Sequence, residues 1–475
     1  MEKKTPLCVD LDGTLVRTDL LFESLLVLLK RQPWTIFLVP FWLSSGRSAL
    51  KHQIAMRVEL EVETLPYQSD LVEFLKQEQL SGRPLVLTTA AHHRYAYQVA
   101  EHLGVFSQVH ASNSRCNFSG CTKRKVLVET FGPKGFGYVG NSRDDFPVWG
   151  MAEHGIVVNP TRGVFEQAAA LCPIVQSFGN ERPTFATYAR ALRVHQWLKN
   201  VLVVLPLLLA HKILNEKLWI EAGLTFAAFS FCASSGYLLN DLLDLSADRR
   251  HPRKRLRPFA CGELPLAHGL ILIPLLLLFA FGTAILFLPL ALSVVLAGYF
   301  LLTVSYSLWL KSIVLLDALL LAGLYTIRII GGAVATRMNL SFWLLAFSIF
   351  LFFSLAFVKR YSELLVLKQR GQMTAHGRGY RMEDLVVLMV FGIASGFLAV
   401  LVAALYLNRQ RLGALYPHPV YLWPISPILL YWVSRLWLIT HRGGMHDDPV
   451  VFAVKDPGSW FTAAIITALL TAASL

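Results

Sequence analysis

Asn240, Asp241, Asp244 and Asp248 stand at the end of a run, from about Trp219 to Leu239, whose only charge is Glu221. Asn240, Asp244 and Asp248 are spaced i, i+4, i+8, and Asp241 precedes Asp244 by three residues. On a helix all four share one broad face, with neighbours about 6 Å apart at Cβ. Two carboxylates that close repel by roughly 2–3 kcal/mol at an effective dielectric near 20. Each also costs about 2.5–3.5 kcal/mol if it sits deep in a membrane. A helix end that keeps them needs a cation. Clustered oxygen ligands suit Mg2+, which retains waters and bridges to substrate phosphates. Six cations follow, Arg249, Arg250, Arg253, Lys254, Arg255 and Arg257. The expected arrangement is carboxylates on Mg2+, Mg2+ on a diphosphate, and cations completing the anion site. Arg249, Arg250 and Arg253 serve equally well as a plain topology signal.

A second carboxylate pair, Asp10 and Asp12, ends the short apolar run Pro6–Val9. A carboxylate in that position can take up a phosphoryl group. A second carboxyl two residues on points to the same side. Two further apolar runs, 84–89 and 135–140, also end in small polar residues, and helix-like stretches lie near 92–103, 122–131 and 143–153. Alternating strands and helices imply a parallel sheet with its site at the carboxyl ends of the strands.

The elements that must position these groups differ sharply along the 475 residues. Residues 1 to about 180 read as soluble. Beyond Val194 come nine apolar runs, near 196–214, 219–240, 267–287, 288–309, 312–334, 341–359, 385–407, 420–440 and 458–475. Each approaches the roughly 20 residues a helix needs to cross a bilayer. The first is the weakest, because Lys199 and His211 interrupt it. Cations of the net +13 concentrate after the second and sixth runs. The positive-inside rule puts those connections, and with them the front domain, on the cytoplasmic side of a cell inner (plasma) membrane. Nine spans then leave the C-terminus outside. Cations beside membrane spans make a poor nucleic-acid surface. The six cysteines form no CxxC pair, so bystander thiols are expected. No signal peptide is expected from the charged start at Met1–Pro6.

The front residues, about 5–172, resemble the haloacid dehalogenase superfamily through the intact DxDGT of Asp10, Asp12, Gly13 and Thr14. That resemblance implies a Rossmann-like α/β fold with a helical cap at about 20–80. It makes Asp10 the nucleophile, Asp12 the general acid and base, and Thr89 (or Thr88) and Lys123 phosphate contacts. Asp10, Asp12 and Asp145 would hold Mg2+. The fourth motif departs: Asn141 follows Gly140 where the family carries an acid. A neutral oxygen weakens a hard-cation site, which leaves active phosphatase and degenerate domain both open. Within the cap, Trp34–Leu43 is apolar but too short to span. It fits a membrane interface or a buried cap core equally well. The polar stretch 176–188 is expected to link a domain at 1–175 to one at 189–475.

That second domain resembles the UbiA superfamily of membrane transferases, whose NDxxDxxxD signature is met in full by Asn240, Asp241, Asp244 and Asp248. An all-α bundle of nine transmembrane helices is implied, with Asn240 and the three aspartates on Mg2+ and Asp244 and Asp248 catalytic. The second DxxxD of prenyl-transferring members is missing; Lys359-Arg-Tyr-Ser-Glu-Leu364 stands there instead. With Arg193-Val-His-Gln-Trp-Leu-Lys-Asn200, Lys254 and Arg257-Pro258, the pattern is similar to the decaprenyl-phosphate phosphoribosyltransferase branch. By that resemblance the donor is phosphoribosyl diphosphate and the acceptor a polyprenyl phosphate. Lys199, Asn240, Lys254, Arg257, Tyr306, Lys311, Arg328, Lys359, Arg360 and Glu363 become substrate contacts. The resulting ribose 5-phosphate is a substrate the front domain could hydrolyse. Prenyl transfer from a prenyl diphosphate, or non-catalytic lipid carriage, are the rival expectations. Asp447 or Asp448 fits a donor contact or a simple turn.

Overall fold

The computed structural model describes residues 4–114, 116–179, 182–210, 212, 214–369, 379–408, 416–445 and 448–474. The chain divides into two compact units, Met1–Leu192 with Tyr237–Ile273, and Arg193–Gly236 with Pro274–Leu475.

The first unit is built on a six-stranded parallel sheet, β1 (Leu7–Val9), β2 (Leu85–His92), β3 (Gln108–Ser112), β4 (Gly137–Gly140), β5 (Gly155–Val158) and β6 (Ile174–Phe178), in the order β3-β2-β1-β4-β5-β6. β1 and β4 are buried along their whole length, as strands covered on both faces must be. The strand order reverses at β1, so the loop after Val9 opens into a crevice at the strand ends. Asp10 N–H still donates to Val139 O at 3.0 Å. Gly13, at φ +74°, then turns the chain where a Cβ would lie 2.2 Å from Asn141 Nδ2. The Asn141 side chain thus packs directly on the loop that follows Asp10.

The cap begins with helix Leu20–Arg31, capped by the Asp19 carboxylate, which accepts from Leu21 and Phe22 N–H, and closed by Lys30 and Arg31 in its last turn. Both ends suit the helix dipole. Short helices Pro33–Phe37, Val39–Ser44 and Arg47–Ala55 follow. Leu28, Trp42, Leu50, Ile54 and Val58 make a small core of their own.

Two boundaries differ from the sequence expectation. The expected linker at 176–188 begins inside β6, which pairs with β5 through Phe178. The polar run hides an edge strand because its outward residues face water. The segment Tyr237–Ile273, which carries the NDxxDxxxD motif, packs in the first unit. Arg249 Nη2 lies 2.5 Å from Glu23 Oε1, and Lys30 Nζ lies 2.7 Å from Asp244 Oδ1. Arg250 pairs with Glu61.

Among the described residues eight helices are long and apolar enough to cross a membrane. They are Glu216–Leu243, Leu266–Phe287, Leu290–Leu308, Leu316–Ala335, Phe342–Lys368, Met382–Leu407, Pro419–His441 and Pro457–Ser474. The chain is a multi-pass membrane protein. The first expected span, 196–214, is no single α-helix. It is a 3-10 stretch, Val194–Val204, followed by helix Leu205–Leu209, and becomes a ninth span only if paired with Phe185–Ala191 across a bend. Lys199 and Asn200 are buried inside this stretch, and polar groups turned into the protein explain its low apolar score. Gly332 permits its close approach, since a Cβ there would lie 1.9 Å from Val203 O. Small residues at helix crossings are the usual device in membranes. The core of the second unit gathers residues of Leu316–Ala335, Phe342–Gln369 and Ile425–His441.

Candidate functional site

A cavity of about 500 Å³ opens at the carboxyl end of the sheet, lined among others by Asp10, Asp12, Lys51, His92, Lys123 and Asp145. Lys123, on helix Gly120–Phe131, donates to Asp10 Oδ1 at 2.7 Å and Tyr138 OH at 3.2 Å, and lies 3.7 Å from Asp145 Oδ1. Burial alone would lower the Lys123 ammonium, but Asp10 and Asp145 outweigh it and raise it. Burial lifts Asp10 to about 6 despite Lys123. Asp12 is lifted well above the usual carboxylate range by burial and then by Asp19. Its Oδ1 accepts Leu20 N–H at 2.9 Å. The two carboxyls therefore sit in different surroundings: Asp10 is held by an ammonium, while Asp12 is shifted upward by burial and by Asp19.

Asp145 is held by four hydrogen bonds. Its Oδ1 accepts Tyr138 O–H at 2.7 Å, and its Oδ2 accepts Asn141 N–H, Ser142 N–H and Ser142 O–H at 3.1, 3.1 and 3.2 Å. Thr89 is fully buried and its Oγ accepts Ala91 N–H at 2.9 Å, while Thr88 donates to Val9 O at 3.3 Å. Ala90 and Ala91 line the cavity, whereas neither threonine does.

The Asp motif is not one continuous helix. Asp244 sits at φ −107°, ψ 18°, between Glu216–Leu243 and Leu245–Arg250. The i→i+4 bonds survive the break, Asp244 N to Asn240 O at 3.0 Å and Asp248 N to Asp244 O at 2.8 Å. Asp241 and Asp248 still face the same way: Arg257 Nη1 lies 3.1 Å from Asp241 Oδ1 and 2.5 Å from Asp248 Oδ2. Burial raises Asp248, against the pull of Arg257. Asn240 is half-buried and Lys254 exposed.

Among the described residues no group of three or more His, Cys, Asp or Glu is placed to hold a metal ion by itself. In each site, however, two carboxylates converge on one protein cation, Lys123 in one and Arg257 in the other. That is hard-oxygen chemistry around a cationic position, which Mg2+ fits when phosphate and water complete its shell.

The second unit carries a cluster of cations. Lys199 Nζ and Lys359 Nζ approach Asp448 Oδ2 at 2.7 and 3.4 Å, and Tyr325 OH donates to Asp448 Oδ1 at 3.3 Å. Burial would raise Asp448, but Lys359 and Lys199 hold it well below the carboxylate range. Asp448, which the sequence left open between a donor contact and a turn, is also the N-cap of Pro449–Lys455. Its rarity between two apolar runs was the available signal. Asp447 lies outside the described residues.

Arg328 is consumed within the protein. Its Nε donates to Asn200 Oδ1 at 2.7 Å, its Nη2 to Tyr299 OH at 2.8 Å, and its Nη1 to Leu324 O. Arg360, 1% exposed, pairs with Asp317 at 2.9 Å and Glu363 at 2.5 Å, with Tyr306 OH at 3.4 Å. Asp317 and Tyr380, which donates to it at 2.5 Å, carried no motif and were missed. Lys311 is half-buried on the turn Leu310–Ser312.

Membrane helices with an aspartate motif at one span's end and a buried lysine, Lys199, elsewhere suit an integral-membrane transferase. The sequence comparison agrees: residues 201–453 match the UbiA prenyltransferase family, and the chain belongs to it. It is 35% identical to "Uncharacterized protein y4nM" of Sinorhizobium fredii over 471 residues, 98% of this chain and 90% of that one. It is 36% identical to "Nodulation protein NoeC" of Azorhizobium caulinodans over 279 residues, 58% of this chain and 89% of the relative. It is also 36% identical to the decaprenyl-phosphate phosphoribosyltransferase of Corynebacterium glutamicum over 185 residues, 38% of this chain and 56% of that enzyme.

Proposed function

We propose that this protein transfers phosphoribose from phosphoribosyl diphosphate to a polyprenyl phosphate, and that its front domain then removes the 5-phosphate. The carrying observation is the pair Lys199 and Lys359 converging on Asp448, with Lys359 and buried Arg360 in the stretch where prenyl-transferring relatives would need a second carboxylate motif. Such ammonium and guanidinium groups suit an anionic acceptor rather than a second metal-bound diphosphate. The similarity to a decaprenyl-phosphate phosphoribosyltransferase supports the same donor and acceptor.

Asp241, Asp244 and Asp248 would hold Mg2+, which supplies charge neutralisation for the departing diphosphate. Lys199 and Lys359 position the acceptor phosphate, which is already anionic and needs no strong base. In the front domain Asp10 attacks the phosphoryl group while Lys123 balances the phosphate charge. Asp12 gives its proton to the leaving sugar oxygen and then takes one back from the water that hydrolyses the phosphorylated Asp10, freeing inorganic phosphate and the carboxylate. Asp10, Asp12 and Asp145 would hold the Mg2+ that shields the phosphate oxygens. The cation-rich connections support a cytoplasmic side for these sites.

The test uses purified protein, Mg2+ and labelled phosphoribosyl diphosphate, with and without polyprenyl phosphate, and reads label in the lipid phase. Label should enter lipid, Asp244→Asn should abolish it, and Asp10→Asn should leave the phosphorylated product accumulating. Transfer from a prenyl diphosphate to an aromatic acid, with none from phosphoribosyl diphosphate, refutes the reading.

A further inference from the structure

The cap carries large apolar side chains that its own core does not use. In Pro33–Phe37 and Val39–Ser44 only Thr35 and Trp42 are buried. Trp34, Phe37 and Phe41 are 59, 82 and 70% exposed. Clustered exposed aromatics mark an interaction surface. Charge indicates its partner. From Ser24 to Val58 the sequence holds five cations, Lys30, Arg31, Arg47, Lys51 and Arg57, and no carboxylate. Arg31 and Arg47 flank the apolar stretch and are exposed. Aromatic residues between cations are the composition of an element lying in a headgroup layer.

The fold puts this stretch at the right level. Lys30 Nζ is 2.7 Å from Asp244 Oδ1, and Asp244 directly follows the membrane-crossing helix Glu216–Leu243. Pro33 comes three residues after Lys30, a reach of at most about 11 Å. The aromatic stretch is therefore tethered where that helix leaves the hydrocarbon.

We propose that Pro33–Ser44 is an interfacial anchor, with Trp34, Ile36, Phe37 and Phe41 in the bilayer boundary and Arg31 and Arg47 on anionic lipid headgroups. Leu43, at the end of this stretch, lines the cavity that holds Asp10 and Asp12. The anchor thus sets the front-domain site against the membrane surface, where a lipid-borne phosphate reaches Asp10 without leaving the bilayer. This last step rests on the phosphatase reading above.

The experiment uses the full chain in nanodiscs containing anionic lipid, with Cys116 and Cys121 changed to serine. A fluorophore is attached through Phe37→Cys or, as a water-facing reference, Leu80→Cys, since Leu80 is 87% exposed. Shallow nitroxide lipids should quench the label at 37 at least twofold and leave that at 80 unchanged. Iodide should do the opposite. Equal iodide quenching at both positions, or shielding at 37 that grows with protein concentration and ignores lipid nitroxides, overturns the anchor. The latter would assign the surface to a second copy. The variant Phe37→Glu/Phe41→Glu should hydrolyse a lipid-borne phosphomonoester at least tenfold more slowly and a soluble one at the wild-type rate. Equal loss on both substrates, or on neither, overturns the membrane-delivery step. A wild-type protein that hydrolyses neither refutes the phosphatase reading, while the quenching still decides the anchor.

Discussion

Glu23 and Arg249 are the pair most worth breaking. Arg249 follows Asp248 of the aspartate motif, and Glu23 lies in the first cap helix. Two contacts join them, at 2.5 and 3.3 Å, and their side chains are 4 and 7% exposed. Glu23 Oε1 also accepts Thr18 O–H at 2.9 Å, and Thr18 O accepts Gly13 N–H at 3.1 Å. One ion pair therefore ties the Asp10–Thr14 loop to the helix end bearing the aspartates. Removing one partner of a buried pair leaves an uncompensated charge and costs about 3–5 kcal/mol, whereas replacing both by apolar groups is often near neutral. Glu23→Gln and Arg249→Met should each destabilise by that amount. Arg249→Met also loses the Nε bond to Ala260 O at 2.9 Å, so it should be the worse of the two. Glu23→Leu/Arg249→Met should recover most of the loss; against the single changes Glu23→Leu and Arg249→Met this is a coupling of about 5 kcal/mol or more, read by urea unfolding followed by tryptophan fluorescence. Additivity of the single changes within about 0.5 kcal/mol would refute the tie.

Other perturbations separate the remaining roles. Asp10, raised to about 6, binds a proton in the folded state that the unfolded chain has released above about 4. Wild-type stability therefore falls as pH rises through that window. Without divalent cations, the melting temperature of Asp10→Asn minus that of wild type should climb from pH 4 to 6 and then level off; a flat difference contradicts the shift. Lys199→Met removes a charge-assisted bond of about 1.5–3 kcal/mol and should raise the KM for polyprenyl phosphate roughly 10- to 150-fold with little change in kcat, read by initial rates. Asp317→Asn leaves Arg360 in a 0%-exposed setting with only the outer Glu363 as a carboxylate partner, and should lower stability by about 3–5 kcal/mol. An unchanged unfolding midpoint would make that pair dispensable.

What could be read beforehand follows a physical division. The helices announced themselves because a bilayer demands long uninterrupted apolar runs, and β1, β2 and β4 because buried parallel strands are continuous apolar stretches. β6 stayed hidden since an edge strand needs only one apolar side, and Val175, Gln176 and Ser177 are exposed. Asp241, Asp248 and Arg257 lie within 16 residues of one another, so their grouping was foreseeable, whereas Asp10 and Lys123, 113 residues apart, were brought together beforehand only by the family resemblance. Asp448, Asp317 and Glu23 are different. Each is defined by a partner far along the chain, 249 residues in the case of Lys199 with Asp448 and 226 for Glu23 with Arg249, and no local periodicity encodes such a pairing. The same argument explains the cap. Its sequence admitted a buried core or a lipid surface equally, because composition is identical in both. Only the turning inward of Trp42 alone among its aromatics, and the tether of Lys30 to Asp244, separate the two.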